Sequence, residues 1–299
     1  MRILPAKFVK IIFLALPILS AGAAWPADGG KVEGVLHLGD ENIPLTHVYA
    51  REVEQIPEMT MEGRPPRQLT VILADRAMPA DMPSTSFAMS QLASAGNIRG
   101  VTVDLDPATG AILGGNVYLG PAYYSQFFSQ SGTGSFPVEG FSFAGGQLKA
   151  SLHSAEPQEI LGSAEGGPAT YSFNATVTAP VAPGPKLLET LEGDAARGSE
   201  PAISFAKFLN AVATGDVAGA RAGIAAAHPG QEMMTAAGLP QVKMMLLAGY
   251  ADAKAFLADL KKAYIYDTRA VLFFSAAGGN SSTSMAMARE DGAWKLGAE

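Results

Sequence analysis

The sequence predicts an α+β protein in two parts: an N-terminal antiparallel β-sandwich or open barrel with one short helix over residues 31–180, and a C-terminal set of helices laid on a curved antiparallel sheet over residues 199–299. Three observations carry this. Apolar residues alternate with polar ones at period two from Lys31 onward, as half-buried strands require. From Ser199 the period changes to about 3.6, that of helices with one buried face. Between the two, Ala179 to Pro185 reads A-P-V-A-P-G-P. Proline removes backbone donors and resists regular structure, so residues 181–198 are expected to be a Pro/Gly-containing linker, loose and polar from Lys186 to Gly198.

In the first part, Glu33 to Leu38 and Ile43 to Arg51 flank Gly39-Asp40-Glu41-Asn42 and read as a hairpin. Leu69 to Ala74 is more fully apolar and reads as a central strand, and Thr85 to Ala95 as one helix ended by Gly96-Asn97. Val101, Val103 and Leu105 fall on one face of a strand, Thr102, Asp104 and Asp106 on the other, and Asp106-Pro107-Ala108-Thr109-Gly110 closes it as a turn. Phe141 and Phe143, then Leu148, Ala150 and Leu152, line the two arms of a hairpin turned by Gly145-Gly146. Tyr171, Phe173, Ala175 and Val177 alternate with polar residues in a last strand. Tyr123 and Tyr124, with Phe127 and Phe128, form an aromatic cluster that either plugs the β domain or presents a patch to a ligand.

In the second part, Ser199 is placed to cap a helix with Pro201 in its first turn, and Phe205, Phe208, Leu209 and Val212 give it one apolar face. Gly215 stops it and Asp216 caps the next helix, which carries Val217, Ala220 and Ile224 to His228-Pro229-Gly230. A third helix is expected near Pro240 with Val242, Met245 and Leu246 inward, and a fourth over Ala251 to Lys261. Strands follow at Tyr264 to Tyr266, Ala270 to Ser275, Ser284 to Ala288 and Trp294 to Leu296, with Gly278-Gly279-Asn280 and Glu290-Asp291-Gly292 as turns.

Two segments of this second part, S-E-P-A-x-x-F-A-K-F-L-N-A-V-A-T-G-D at Ser199 to Asp216 and M-A-R-E-D-G-A-W-K-L at Met287 to Leu296, resemble the nuclear-transport-factor-two-like superfamily. The resemblance implies a cone of helices over a strongly curved sheet. Enzymes of that superfamily hold an acid or base deep in the cone beside Tyr donors, and the nearest counterpart here is Tyr264, Tyr266 and Asp267 with Arg269. Asp267-Thr268-Arg269 reads equally well as a strand-joining turn, and the first helix offers no Tyr or acid on its apolar face. Gly34 to Gly39, Tyr49-Ala50-Arg51, Leu69 to Asp75 and Met78-Pro79 resemble uncharacterised exported bacterial β domains, a likeness that implies no chemistry.

At the N-terminus, Arg2, Lys7 and Lys10 precede the apolar run Ile11 to Leu19 and the small residues Ser20-Ala21-Gly22-Ala23-Ala24. This is the order of a secretory signal peptide over residues 1–24, with cleavage expected after Ala23 or Ala24. The run is about half of the roughly 20 residues that span a bilayer, so a periplasmic or secreted protein with no stable membrane insertion after cleavage is expected. The chain has no Cys and therefore no disulfide. Loss of three basic residues with the signal takes the net charge from −7 to −10, against any bulk attraction to nucleic acid. His37, His47, His153 and His228 never stand at ligand spacing, so no metal or other cofactor is expected, although paired methionines such as Met244-Met245 could supply Cu(I) with soft ligands. No nucleophile or phosphate-loop motif is present in a fitting context. The leading expectation is a non-enzymatic exported protein that binds a small-molecule ligand or protein partner. The alternatives are a small-molecule isomerase- or hydratase-like enzyme and a periplasmic copper-handling protein.

Overall fold

In a computed structural model, residues 30–60, 64–78, 86–121, 126–129, 136–160, 170–226, 228–247, 250, 252–275 and 282–297 are described. The protein is α+β, with more strand than helix and two sheets. The segment expected to be a signal peptide lies outside the described residues.

The first sheet comprises β1 (Lys31–Leu38), β2 (Glu41–Leu45), β3 (His47–Glu54), β4 (Arg67–Ala74), β5 (Gly100–Leu105), β6 (Ile112–Tyr118), β7 (Gln126–Ser129), β8 (Val138–Ala144), β9 (Gln147–His153), β10 (Gln158–Glu159) and β11 (Thr170–Ala182), with helix α1 (Ser86–Ser94) between β4 and β5. Its main path runs β2-β1-β11-β3-β4-β5-β6-β7, and β9, itself paired to β8, joins β11 from the other side. One apolar core draws on both arms of this path, with Leu36, Leu69, Val71, Val101, Val103, Leu148 and Phe173 all buried. The expected strand from Ile43 to Arg51 is broken at Thr46. Its N–H donates to Ala74 O and its hydroxyl to Asp75 O, and this corner lets β2 stay beside β1 while β3 turns onto β4. Pro44 sits on β2, an edge strand in the sheet path, where its missing donor is harmless. Gly145 (φ 57°) and Gly146 (φ 72°) form the expected β8–β9 hairpin turn.

The second sheet has the order β12 (Leu187–Glu192), β13 (Leu260–Tyr266), β14 (Arg269–Ser275), β15 (Ser282–Glu290), β16 (Ala293–Leu296). Helices α2 (Gly193–Arg197), α3 (Glu200–Thr214), α4 (Val217–Ala222), α5 (Leu239–Leu246) and α6 (Ala253–Ala258) precede β13. α3 has the expected limits: the Ser199 hydroxyl accepts from Ala202 N, and Gly215 terminates the helix at φ 77°. Its Phe205, Phe208, Leu209 and Val212 pack with Phe256 of α6 and with Ala263, Leu272, Phe274 and Met287 of the sheet.

Two expectations are corrected. The linker over 181–198 is largely regular structure: β11 runs through Pro180 to Ala182, and β12 and α2 occupy Leu187 to Arg197. Proline is tolerated in β11 because Val181 N donates to Gly146 O on the β9 side, which directs the Pro180 nitrogen to the other side. There β1 pairing ends at Thr178 and β3 pairing begins only at Val181. β12 escapes a periodicity argument because it is an edge strand whose residues, except Leu191, are exposed. Met245 was expected inward but is 65% exposed, since Leu239, Val242 and Leu246 share the inner face of the short α5 and Met245 lies about a quarter turn away. The Gly278-Gly279-Asn280 turn lies outside the described residues.

Candidate functional site

The residues singled out on β13 do not face the helices. Strand alternation puts Ala263 and Ile265 with the helix-covered core and turns Tyr264 and Tyr266 to the opposite face, where they cluster with Val271, Phe273 and, from the first half of the chain, Ile56. Ile56 leads into a 3-10 turn at Pro57–Met59 that follows β3. The second sheet is therefore covered on both faces, by helices on one and by the β3 region on the other. β14 carries the mark of this in its sequence, since Ala270 to Phe274 are all buried regardless of parity.

Polar groups line this seam in two patches. At the first, the Tyr264 hydroxyl donates to Glu58 at 2.5 Å, and Lys262 Nζ lies 2.9 Å from Glu58 and 3.1 Å from Glu192. Burial works against the charged Glu58 carboxylate, but the hydrogen bonds from Tyr264 and Lys262 outweigh it and hold its pKa below the ordinary value. The Tyr264 phenol, buried and donating to that carboxylate, is pushed up to about 12. Hydrogen bonds to Glu58 and then Glu192 raise Lys262. Each proton is thus held where it already resides. This patch is a strut, with neither an acid nor a base poised near neutral pH.

At the second patch, ladder pairing sets Arg51 of β3 against Thr70 of β4, and Thr70 against Asp104 of β5. Thr70 Oγ1 donates to Asp104 at 2.6 Å, and Arg64 spans from the β4 approach to Leu113 O of β6, also at 2.6 Å. Burial raises the Asp104 pKa, while Thr70, Arg64 and Arg51 oppose the rise. From the other sheet, Arg269 at the start of β14 donates through Nη2 to Glu54 O at 3.1 Å, and its guanidinium sits 4.8 Å from the centre of the Tyr266 ring. Burial and then the Arg269 charge press the Arg51 pKa down to about 10, against the pull of Asp104. Burial raises the Tyr266 phenol.

Asp267 takes no part in either patch. It is exposed in the β13–β14 turn, where its carboxylate accepts from Lys186 N at 3.1 Å and its own N–H donates to Lys186 O at 3.1 Å. Asp267-Thr268 is the turn between β13 and β14, and the Asp267 carboxylate is directed to Lys186 N rather than to Tyr264 or Tyr266. Tyr123 and Tyr124 lie outside the described residues. Met285 packs against the helix-side core and Met287 is buried in it, while Met244 and Met245 are exposed. Among the described residues no three His, Cys, Asp or Glu side chains form a metal-sized cluster, and no helix is long and apolar enough to cross a membrane.

Sequence reasoning missed Arg51, Glu58, Arg64, Thr70 and Asp104 as site residues. Asp104 and Thr70 carried one faint signal, a polar residue on the outer parity of a strand whose neighbours are apolar. Their convergence with Arg269 depends on contacts spanning about two-thirds of the chain, as Tyr264 and Glu58 do with a separation of 206 residues. No protein-family model, curated protein or solved structure matches the chain.

Proposed function

We propose that this is an exported, non-enzymatic binding protein whose ligand seat is the seam between the two sheets. The observation that carries the reading is the pairing of the seam's ionisable groups: Tyr264 donates to Glu58, Lys262 lies at ion-pair distance from Glu58, and Asp267 is a turn residue at the surface. A site built this way fixes shape and charge without offering proton transfer. On this reading the first part is a β-sandwich or open barrel, and the second belongs with the nuclear-transport-factor-two-like modules that bind rather than catalyse. The order of helices before an antiparallel sheet and the caps of α3 support that assignment. The charge order of residues 1–24 supports export to the periplasm or medium.

The test is native mass spectrometry of the full chain expressed in a Gram-negative host, fractionated and then titrated with a small-molecule library. The expected result is a mature species in the exported fraction beginning at Ala24 or Trp25 that binds a ligand saturably and returns it unchanged. An uncut chain confined to the cytosol removes the export reading. Conversion of the bound molecule removes the non-enzymatic one.

A further inference from the structure

Helices α3 and α6 touch through Phe205 and Phe256, whose ring centres are 5.9 Å apart in the helix-side core. Beside that contact the facing side chains are small, Ala206 from α3 and Ala253 and Ala258 from α6, and a cleft of about 680 Å³ lies between the helices with these residues and Leu257 as its apolar lining. Small-molecule pockets occupy roughly 300–1,000 Å³. The cleft uses the flank of α3 that carries Ala206 and Asn210, away from the buried Phe205, Phe208, Leu209 and Val212, so it is separate from the helix-side core and from the seam. Polar groups reach it from three helices. Arg197, the last residue of α2, donates through Nη1 to Leu260 O at 3.1 Å and through Nη2 to Asp194 at 2.6 Å. These bonds fix the guanidinium while using two of its five N–H donors, and Asp194 is fully exposed, so its hold is weak. Lys254 of α6 is exposed and has no ion-pair partner among the described residues. Asn210 adds an amide donor, and Asp252, the one acid among the described lining residues, is committed to Ala255 N at 2.8 Å as the cap of α6. The lining thus carries two cations against one engaged carboxylate, in a chain whose net charge is −7.

We infer that this cleft binds an aliphatic carboxylate, with its head on Arg197 and Lys254 and its chain along the alanine and leucine lining. It is a second site, independent of the seam. A carboxylate matches the planar, paired N–H geometry of a guanidinium and takes the Lys254 ammonium as a point charge. An uncharged ligand leaves both cations unused, and an ion without a chain leaves the apolar lining in water. Ile203, 45% exposed and one turn before Ala206 on the same flank of α3, extends the apolar surface beyond the cleft.

The experiment titrates the full mature chain with octanoate below its micelle-forming concentration, read by isothermal calorimetry, with octanol and acetate as probes that lack the charge and the chain. Octanoate is expected to bind saturably at one site, octanol about tenfold more weakly, and acetate without saturation. Ala258→Trp, which fills the cleft from an exposed position, is expected to abolish octanoate binding. Arg197→Gln should weaken it about tenfold, Lys254→Gln about two- to fivefold, and Lys207→Gln, exposed on α3 outside the cleft, should leave it unchanged. If Arg197→Gln lowers stability by removing the donor to Leu260 O, Ala258→Trp and Lys254→Gln carry the test, since both positions are exposed. Octanoate binding retained in Ala258→Trp would overturn the site, and octanol binding as tightly as octanoate would overturn the carboxylate class. No saturable octanoate binding would overturn both, and each of these results leaves the seam reading to its own test.

Discussion

Tyr264 illustrates how one side chain can be legible and misread at once. Alternation in the sequence correctly joins it to Tyr266 on one face of β13, but which face lies under the helices depends on the partner strands and on Ile56, far away in the chain. Its phenol instead ties the second sheet to Glu58. Tyr264→Phe is expected to cost about 1.5 kcal/mol, the low end for a hydrogen bond to a charged group because Glu58 is partly solvated, as read from the urea midpoint. The pH dependence follows from the directions of the shifts. Glu58 has its folded-state pKa below the ordinary carboxylate value, so its contribution is complete above about pH 4.5 and is lost as pH falls through the folded pKa. Tyr264 is raised to about 12, so its contribution is complete below about pH 10 and is lost as pH climbs toward 12. Glu58→Gln should flatten the acid limb of the stability profile and Tyr264→Phe the alkaline limb, both measured by chemical denaturation across pH. An unchanged acid limb in Glu58→Gln would mean that the Glu58 contacts are absent in solution.

At the scale of elements, local signals served where an element's ends are set by its own residues. α3 has its cap, its proline and its glycine stop in the sequence, and the hairpin at Gly145-Gly146 needs nothing beyond two residues that accept positive φ. Phe205 is fully buried and stacks near Phe208, Phe256 and Phe274, so Phe205→Ala is expected to cost about 3–5 kcal/mol, whereas Ile203→Ala on the outer face should stay within about 0.5 kcal/mol. Thermal unfolding of the two variants side by side checks the assignment of faces. Among the glycines, Gly146→Ala should cost about 1 kcal/mol for its φ of 72° alone. Gly110→Ala should cost more, because a Cβ there would also stand 2.3 Å from the Phe141 ring. What sequence could not supply was β12, an edge strand with little burial, and the corner at Thr46, whose cause is two hydrogen bonds to the end of β4. Pro180 misled for a related reason, since whether proline breaks a strand depends on which side of it has a neighbour.

Over the whole molecule, the sequence announced two parts but not the surface they share. The evidence was present in muted form: β14 is apolar on both parities, which is the signature of a strand covered on both faces, and it can be so covered only if something other than its own helices lies on it. The cover is the β3 region with its 3-10 turn, and the polar residues gathered there, Arg51, Thr70 and Asp104 against Arg269, are contributed by strands from both sheets. Joined in this way, the halves should unfold together, with coincident transitions by fluorescence and far-UV circular dichroism in urea, and the strut variants should separate the two signals.

The most direct test of the shared seam is a double-mutant cycle on Glu58 and Tyr264, using Glu58→Gln, Tyr264→Phe and the double variant, with stability read from urea denaturation at pH 7. A coupling energy of about 1 kcal/mol is predicted, the two residues acting as one contact between the sheets. Additive single effects, with coupling indistinguishable from zero, would contradict the seam and with it the site proposed there.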